Sequence, residues 1–74
     1  MILRKMIEVF RTNVSSEEQA RMLGSLLAER FGLSRISFDL EDHERVLRVE
    51  GPAVYHEKVS DLLYEHGYEC SVME

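Results

Sequence analysis

The chain has 74 residues, enough for one small domain spanning residues 1–74, and its content of 45% hydrophobic and 31% charged residues is typical of a folded protein. Its net charge of −5 argues against a nucleic-acid partner, because phosphate backbones are bound by basic surfaces. No apolar run exceeds three residues, so we expect neither a membrane-spanning helix nor a secretory signal sequence, and we predict a cytoplasmic protein.

The first predicted element is a strand over residues 6–12, which follows a short lead-in over residues 1–5 and is rich in β-branched and aromatic side chains. Apolar side chains occupy both faces of this strand, as they do at the centre of a sheet. They are Ile7 and Val9 on one face and Met6 and Phe10 on the other. The pattern leaves open which of the two sets faces the core.

A helix is predicted over residues 16–31, where apolar side chains recur with helical spacing. The stripe consists of Ala20, Leu23, Leu27 and Phe31, flanked by Met22 and Leu26. Ser15 and Glu18 have the spacing of a capping box, in which a serine side chain accepts a backbone N–H at the start of the helix. Gly32 follows as the expected left-handed residue that ends the helix.

The second half of the chain predicts two strands, a helix and a last strand. Residues 34–40 and 45–50 alternate on either side of the polar loop 41–44, which is the pattern of a β-hairpin. Pro52 suits the first turn of the next helix and Gly67 suits its end. The apolar face of that helix consists of Tyr55, Val59, Leu62 and Leu63, and residues 68–72 then alternate as a strand.

The predicted order of elements is therefore β-α-β-β-α-β. With right-handed crossovers this order gives an antiparallel sheet of strand order 4-1-3-2 with both helices on one face, which is a ferredoxin-like α+β sandwich. In this topology the loop after the first strand, the hairpin loop and the loop before the last strand emerge at one edge of the sheet. We call this edge, with residues 14–19, 41–44 and 66–68, the loop edge.

Four segments carry the pattern of a known family. They are residues 31–33 (Phe-Gly-Leu), 36–40 (Ile-Ser-Phe-Asp-Leu), 45–49 (Arg-Val-Leu-Arg-Val) and 62–68, which end in Gly-Tyr. In these features, residues 7–73 resemble the heavy-metal-associated domain of small copper chaperones and of metal-pumping ATPases. The resemblance implies the same fold, and in the family a Met-x-Cys-x-x-Cys loop before the first helix captures the metal ion through two thiolates.

The metal-binding motif of that family is absent from this sequence. Counting back from Gly32 places Val14 at the position of the methionine and Ser16 and Gln19 at those of the two cysteines. A hydroxyl and a carboxamide are hard, neutral ligands that do not suit Cu(I). We therefore expect no bound metal or cofactor, and we predict a non-enzymatic interaction module that resembles the family but has lost metal binding.

A metal-handling interpretation stays open as the alternative. Cys70 is the one cysteine of the chain, and its alternation with the neighbouring strand residues is typical of a small buried side chain. His43 and His66 both fall at the loop edge beside acidic residues, where Zn²⁺ or Ni²⁺ would find ligands. The alternative is therefore metal handling through non-standard ligands, either His43 and His66 with their acidic neighbours or Cys70 across a homodimer.

Enzymatic and RNA-binding sites known on the same fold are not expected. Acylphosphatases grip phosphate with a glycine-rich first loop and an arginine, whereas this loop leads into Glu17 and Glu18. RNA-recognition motifs stack bases on aromatic side chains of the third strand, and residues 45–49 contain none. We thus predict that the protein is not an enzyme and has neither nucleic-acid nor membrane partners.

Two surfaces are candidate interfaces for a protein partner or a second copy. The open face of the sheet should expose one apolar set of the first strand together with Val46, unless charged side chains cover it: Arg11, Arg35, Arg48 and Glu50. The loop edge carries Glu17, Glu18, Glu41, Asp42, Glu44 and Tyr68. With only Arg45 nearby to offset them, these acids would steer a basic partner, or they would simply keep the domain soluble.

Overall fold

The computed structural model describes residues 6–73, so the predicted lead-in over residues 1–5 lies outside it. Its elements are β1 (Met6–Thr12), α1 (Glu17–Phe31), β2 (Arg35–Asp39), β3 (Val46–Gly51), α2 (His56–Glu65) and β4 (Cys70–Val72). The strands form one antiparallel sheet in the order β2-β3-β1-β4. The predicted topology is confirmed, and the fold is a ferredoxin-like α+β sandwich.

The two faces of β1 differ in burial, which answers the question that the sequence left open. Phe10 is completely buried together with Leu47 and Val49 of β3, whereas Ile7 is 55% exposed. Because side chains alternate across a strand, Val9 shares the open face with Ile7. Both helices pack on the face of Phe10, and their buried side chains are Leu23 and Leu27 of α1 and Val59, Leu62 and Leu63 of α2.

Helix α1 begins one residue later than predicted, with Ser16 as its N-cap, and Gly32 ends it as expected. Gly32 has a φ of 60°, and its backbone N–H donates to the carbonyl of Ala28 at 3.0 Å. Leu26 and Phe31 are half-buried against the core, but Met22 is 46% exposed and lies outside the predicted stripe. The apolar face is therefore narrower than the sequence predicted.

Helix α2 begins later than predicted. Pro52 lies before the helix rather than in its first turn, and Tyr55, predicted on the apolar face, is the exposed N-cap residue. The reason is that Val54, which is only 4% exposed, fills the core position predicted for Tyr55. The chain therefore passes along the edge of the core before the helix begins. The Tyr55 ring instead lies 5.4 Å from the Lys58 ammonium.

The end of α2 shortens the last strand relative to the prediction. Gly67 has a φ of 87° and donates to the Tyr64 carbonyl at 3.0 Å, while the Tyr68 N–H donates to the Leu63 carbonyl at 2.9 Å. This pair of bonds is a Schellman motif, which satisfies carbonyls at a helix C-terminus. Tyr68 thus belongs to the helix stop, and β4 begins at Cys70. Within residues 6–73, neither helix has the length and apolar content needed to cross a membrane.

We predict that Leu23→Ala and Leu62→Ala each lower the free energy of unfolding by about 2–5 kcal/mol, because both side chains are buried in a packed core. Met22→Ala is the matched control, since Met22 neighbours Leu23 on α1 but is largely exposed. Urea denaturation followed by circular dichroism measures the difference. If Leu23→Ala and Met22→Ala unfolded at the same urea concentration, the assignment of the helix faces would be wrong.

Candidate functional site at the loop edge

The sheet register brings the predicted loop edge together. Thr12 at the end of β1 lies opposite Cys70 at the start of β4, and Asp39 at the end of β2 lies opposite Val46 at the start of β3. Hydrogen bonds then tie the loops to one another. The Thr12 hydroxyl donates to the Arg45 carbonyl at 2.7 Å, which joins β1 to the hairpin loop. A second bond joins the first loop to the last, from the Glu69 N–H to Asn13 Oδ1 at 2.8 Å.

Ser16 and Gln19 form the start of α1. The Gln19 N–H donates to Ser16 Oγ at 3.1 Å, and Gln19 Oε1 accepts from the Ser15 N–H at 3.3 Å. The prediction that Ser15 and Glu18 form the capping pair was therefore wrong by one residue. Both pairs have the same spacing, and the choice between them is made by Val14, whose complete burial fixes where the chain turns into the helix.

The three residues that the resemblance predicts at metal-binding positions have structural roles in this chain. Val14, predicted at the position of the methionine, is buried in the core, and Thr12 Oγ1 accepts its backbone N–H at 3.2 Å. Ser16 and Gln19, predicted at the positions of the cysteines, each use a side-chain oxygen to accept a backbone N–H. Each of these two oxygens therefore already uses one of its lone pairs at the start of α1.

Cys70 lies at the start of β4 on the side that faces the helices. It is half-buried, and the Ser60 hydroxyl donates to Cys70 Sγ at 3.8 Å. Burial raises the pKa of the thiol from 9.0 to about 11, and the hydrogen bond from Ser60 opposes this only in part. Because the thiolate is the form that binds soft metals, Cys70 is a weak ligand at neutral pH.

The structure brings His43 and Cys70 to one groove but leaves His66 out of it. The groove has a volume of about 530 Å³, and Glu44 and Glu69 also line it. His43 is exposed, with Nδ1 3.7 Å from Asp42 Oδ1. His66 Nδ1 lies 2.8 Å from the Leu62 carbonyl, to which it donates in the tautomer that carries a proton there. Over the described range, no three His, Cys, Asp or Glu side chains are grouped so that they could hold a metal ion.

The acidic residues of the loop edge differ in exposure. The exposed ones are Glu17, Glu18, Glu41 and Asp42. Glu44 is half-buried, and its Oε2 lies 3.4 Å from Arg11 Nε. This ion pair could not be predicted from the sequence, because it joins residues that only the pairing of β1 with β3 brings together. Tyr68 is half-buried at the end of α2.

Arg45 holds the hairpin loop in a fixed shape. It has a φ of 48°, a left-handed conformation that is uncommon outside glycine. Its backbone N–H donates to the Asp42 carbonyl at 2.9 Å, and its guanidinium donates to the Leu40 carbonyl at 2.7 Å. Its side chain is therefore tied to the loop, where its positive charge stays beside the acidic residues.

The open face of the sheet mixes apolar and charged side chains. Between β1 and β3, three apolar side chains each lie directly opposite a charged one: Ile7 opposite Glu50, Val9 opposite Arg48, and Val46 opposite Arg11. Ile7 is exposed, whereas Val9 and Val46 are half-buried. Of the two candidate interfaces, the loop edge therefore has the more uniform chemistry.

We predict that Ser16→Ala lowers the free energy of unfolding by about 1 kcal/mol, because it removes the side-chain cap of α1. Ser15→Ala is the matched control, since Ser15 contributes its backbone N–H to the cap rather than its hydroxyl. Chemical denaturation of the two variants beside the wild type measures the effect. A larger loss for Ser15→Ala than for Ser16→Ala would contradict the assignment of the cap.

Comparison with known proteins supports the fold. No family model matches the sequence, and no curated protein matches it either. The crystal structure of oxidized MerP from Ralstonia metallidurans CH34 is similar, with a TM-score of 0.78 over 96% of this chain and 100% of that chain. The two sequences are 14% identical, so the likeness is one of fold. The chain therefore has the ferredoxin-like α+β fold that MerP has.

Proposed function

We propose that residues 1–74 form a non-enzymatic interaction module that uses the scaffold of the heavy-metal-associated family without binding metal at that family's loop. The observation that carries this proposal is the cap at the loop edge. Ser16 Oγ and Gln19 Oε1, which the resemblance places at the cysteine positions, already accept backbone hydrogen bonds. The same two side chains therefore stabilise the start of α1 instead of chelating an ion.

The chemistry of the two side-chain oxygens supports this proposal. Loss of the side-chain cap costs about 1 kcal/mol of stability, and the hydroxyl and carboxamide oxygens that form it are poor ligands for Cu(I). The thiol of Cys70 points toward the helix layer and has a pKa raised to about 11 by burial, so it does not supply the missing thiolate at neutral pH. One form of the metal-handling alternative needs His66 beside His43, and His66 does not line the groove that contains His43.

The partner that we propose for this module is a protein with a Lys- or Arg-rich surface. The exposed acids of the loop edge face solvent, while Arg11 is paired with Glu44 and Arg45 is bonded to the hairpin loop. The edge thus presents a net negative field, which steers a basic partner toward it. We place the contact on Glu17, Glu18, Glu41, Asp42, Glu44 and Tyr68. The cytoplasmic location and the lack of nucleic-acid and membrane partners stay predictions from the sequence.

We predict that the wild-type protein binds neither Cu(I), Zn²⁺ nor Ni²⁺ stoichiometrically in equilibrium dialysis at micromolar metal under reducing conditions. The variant Ser16→Cys/Gln19→Cys should bind one Cu(I), because the scaffold then presents two thiols at the start of α1. Ser16→Cys alone is the matched control with one added thiol. Stoichiometric binding by the wild type would contradict the proposed function, and its loss in His43→Ala would assign the site to the alternative.

We also predict that Glu18→Lys/Glu41→Lys slows association with a basic protein partner by about tenfold at low salt, while dissociation changes less, since a charged surface acts chiefly on the encounter. Glu29→Lys/Glu57→Lys changes the net charge equally at the opposite end of the helices and should leave the rate nearly unchanged. Surface plasmon resonance with a partner captured by the wild type measures both rates. An association rate that changes neither with the salt concentration nor in Glu18→Lys/Glu41→Lys would contradict the assignment of the loop edge as the binding surface.

A further inference from the structure

Within residues 6–73, strand β2 is an edge strand that has β3 on one side and no strand on the other. The Thr12 N–H donates to the Arg45 carbonyl at 3.2 Å, so alternate residues of β3 counted from Arg45 direct their backbone groups toward β1. The residues between them, including Arg48, direct theirs toward β2. Since Ser37 lies opposite Arg48, the backbone groups of Ser37 are bonded to β3.

It follows that the residues on either side of Ser37 have their backbone groups on the free edge. The N–H and C=O of Ile36 and Phe38 point away from β3, because backbone direction alternates along a strand. Such a row of unpaired groups is a template for another strand. Many proteins protect it with edge charges, and β2 carries Arg35 and Asp39 at its two ends.

We propose that β2 pairs antiparallel with β2 of a second copy of this chain, around a twofold axis at Ser37. The strand sequence Arg-Ile-Ser-Phe-Asp is its own complement in this arrangement. Arg35 lies opposite Asp39 of the second copy, and the same pair recurs on the other side of the axis. The charges that would repel an arbitrary strand therefore match this one.

The register of this pairing is fixed by backbone direction and charge together. The free N–H and C=O groups of the two strands can bond to each other only where residues that carry them lie opposite one another. Ile36 or Phe38 must therefore lie opposite Ile36 or Phe38 of the second copy. Of these registers, the one with Ile36 opposite Phe38 forms both ion pairs. Sliding the second strand by two residues either way places Arg35 opposite Ser37 or beyond the end of the strand.

The two charged side chains are available for this contact. Asp39 Oδ1 accepts the backbone N–H groups of Glu41 and Asp42 at 3.2 and 3.3 Å, which holds the carboxylate at the strand end. Neither Asp39 nor Arg35 makes an ion pair within the described part of the chain, although Glu50 lies opposite Arg35 on β3. Oδ2 of Asp39 is thus the oxygen that we assign to the ion pair with the second copy.

A groove on the helix side of β2 supplies the apolar part of the contact. It has a volume of about 720 Å³ and runs between β2 and α1. Its floor includes the half-buried side chains of Ile36, Phe38 and Leu40. Its helix wall includes small residues, among them Gly24 and Ala28, and also the charged Glu17 and Arg21. In the pair, Ile36 lies beside Phe38 of the second copy and extends this apolar row. The contact is short, so we expect a dimer that forms as the protein concentration rises.

Amide hydrogen exchange of the wild-type chain, measured by NMR at low and at high protein concentration, tests the pairing directly. We expect exchange at Ile36 and Phe38 to slow as concentration rises, because their N–H groups become bonded. The amide of Ser37 is the internal control, since it is bonded to β3 at every concentration. Equal, fast exchange at Ile36 and Phe38 at all concentrations would overturn the proposal, as would concentration-dependent protection confined to β1 and β4.

A charge exchange tests the register by sedimentation equilibrium. Arg35→Glu and Asp39→Lys should each weaken self-association at least about tenfold, because two attractive cross-strand pairs become repulsive. An equimolar mixture of the two variants should associate as the wild type does, since each substituted side chain then faces an opposite charge. Self-association of Arg35→Glu at wild-type strength, or a mixture of folded variants that stays monomeric, would overturn the proposal. If circular dichroism showed Asp39→Lys unfolded, Arg35→Glu and the exchange data would decide it.

Discussion

Phe10 lies at the centre of the sheet without exposed surface, and its burial against the two helices fixes most of the remaining structure. A slip of β1 by one residue would turn Phe10 to solvent and Ile7 inward, so the core selects a single register. That register places Thr12 beside Arg45 and Cys70, and it thereby brings three loops to one edge. The sheet topology and the position of the loop edge therefore both follow from a core that lies on one face of the sheet.

The fold that this chain shares with MerP does not by itself determine the chemistry of the loop edge, because a scaffold and its site are separable. The topology presents the start of α1 at the loop edge whatever residues occupy it. In this chain those residues are Ser16 and Gln19, and their hydrogen bonds serve the helix. What remains distinctive at the edge is its acidity, which is why we assign it a basic protein partner. The free edge of β2 is a separate surface with its own complementarity, and neither proposal depends on the other.

The order of elements and the sheet topology could be predicted because hydrophobic period and glycine placement mark each element locally. Details that depend on contacts distant in sequence could not. Ser15 and Ser16 fit the capping pattern equally well, and only the burial of Val14 decides between them. The ion pair between Arg11 and Glu44 requires the pairing of β1 with β3 before it can be seen. The candidate site was therefore located by topology, whereas its hydrogen bonds and charge balance needed the structure.

The central claim is that the side chains at the start of α1 cap the helix and do not bind metal. The most direct measurement follows the backbone amides of Ser15 and Gln19 in ¹⁵N-correlated NMR spectra while Cu(I) is added under reducing conditions. The Ser15 amide donates to Gln19 Oε1, and the Gln19 amide donates to Ser16 Oγ. If the side chains only cap the helix, we expect both resonances to stay unchanged past one equivalent of metal. Movement of both resonances that saturates at one equivalent would contradict the central claim.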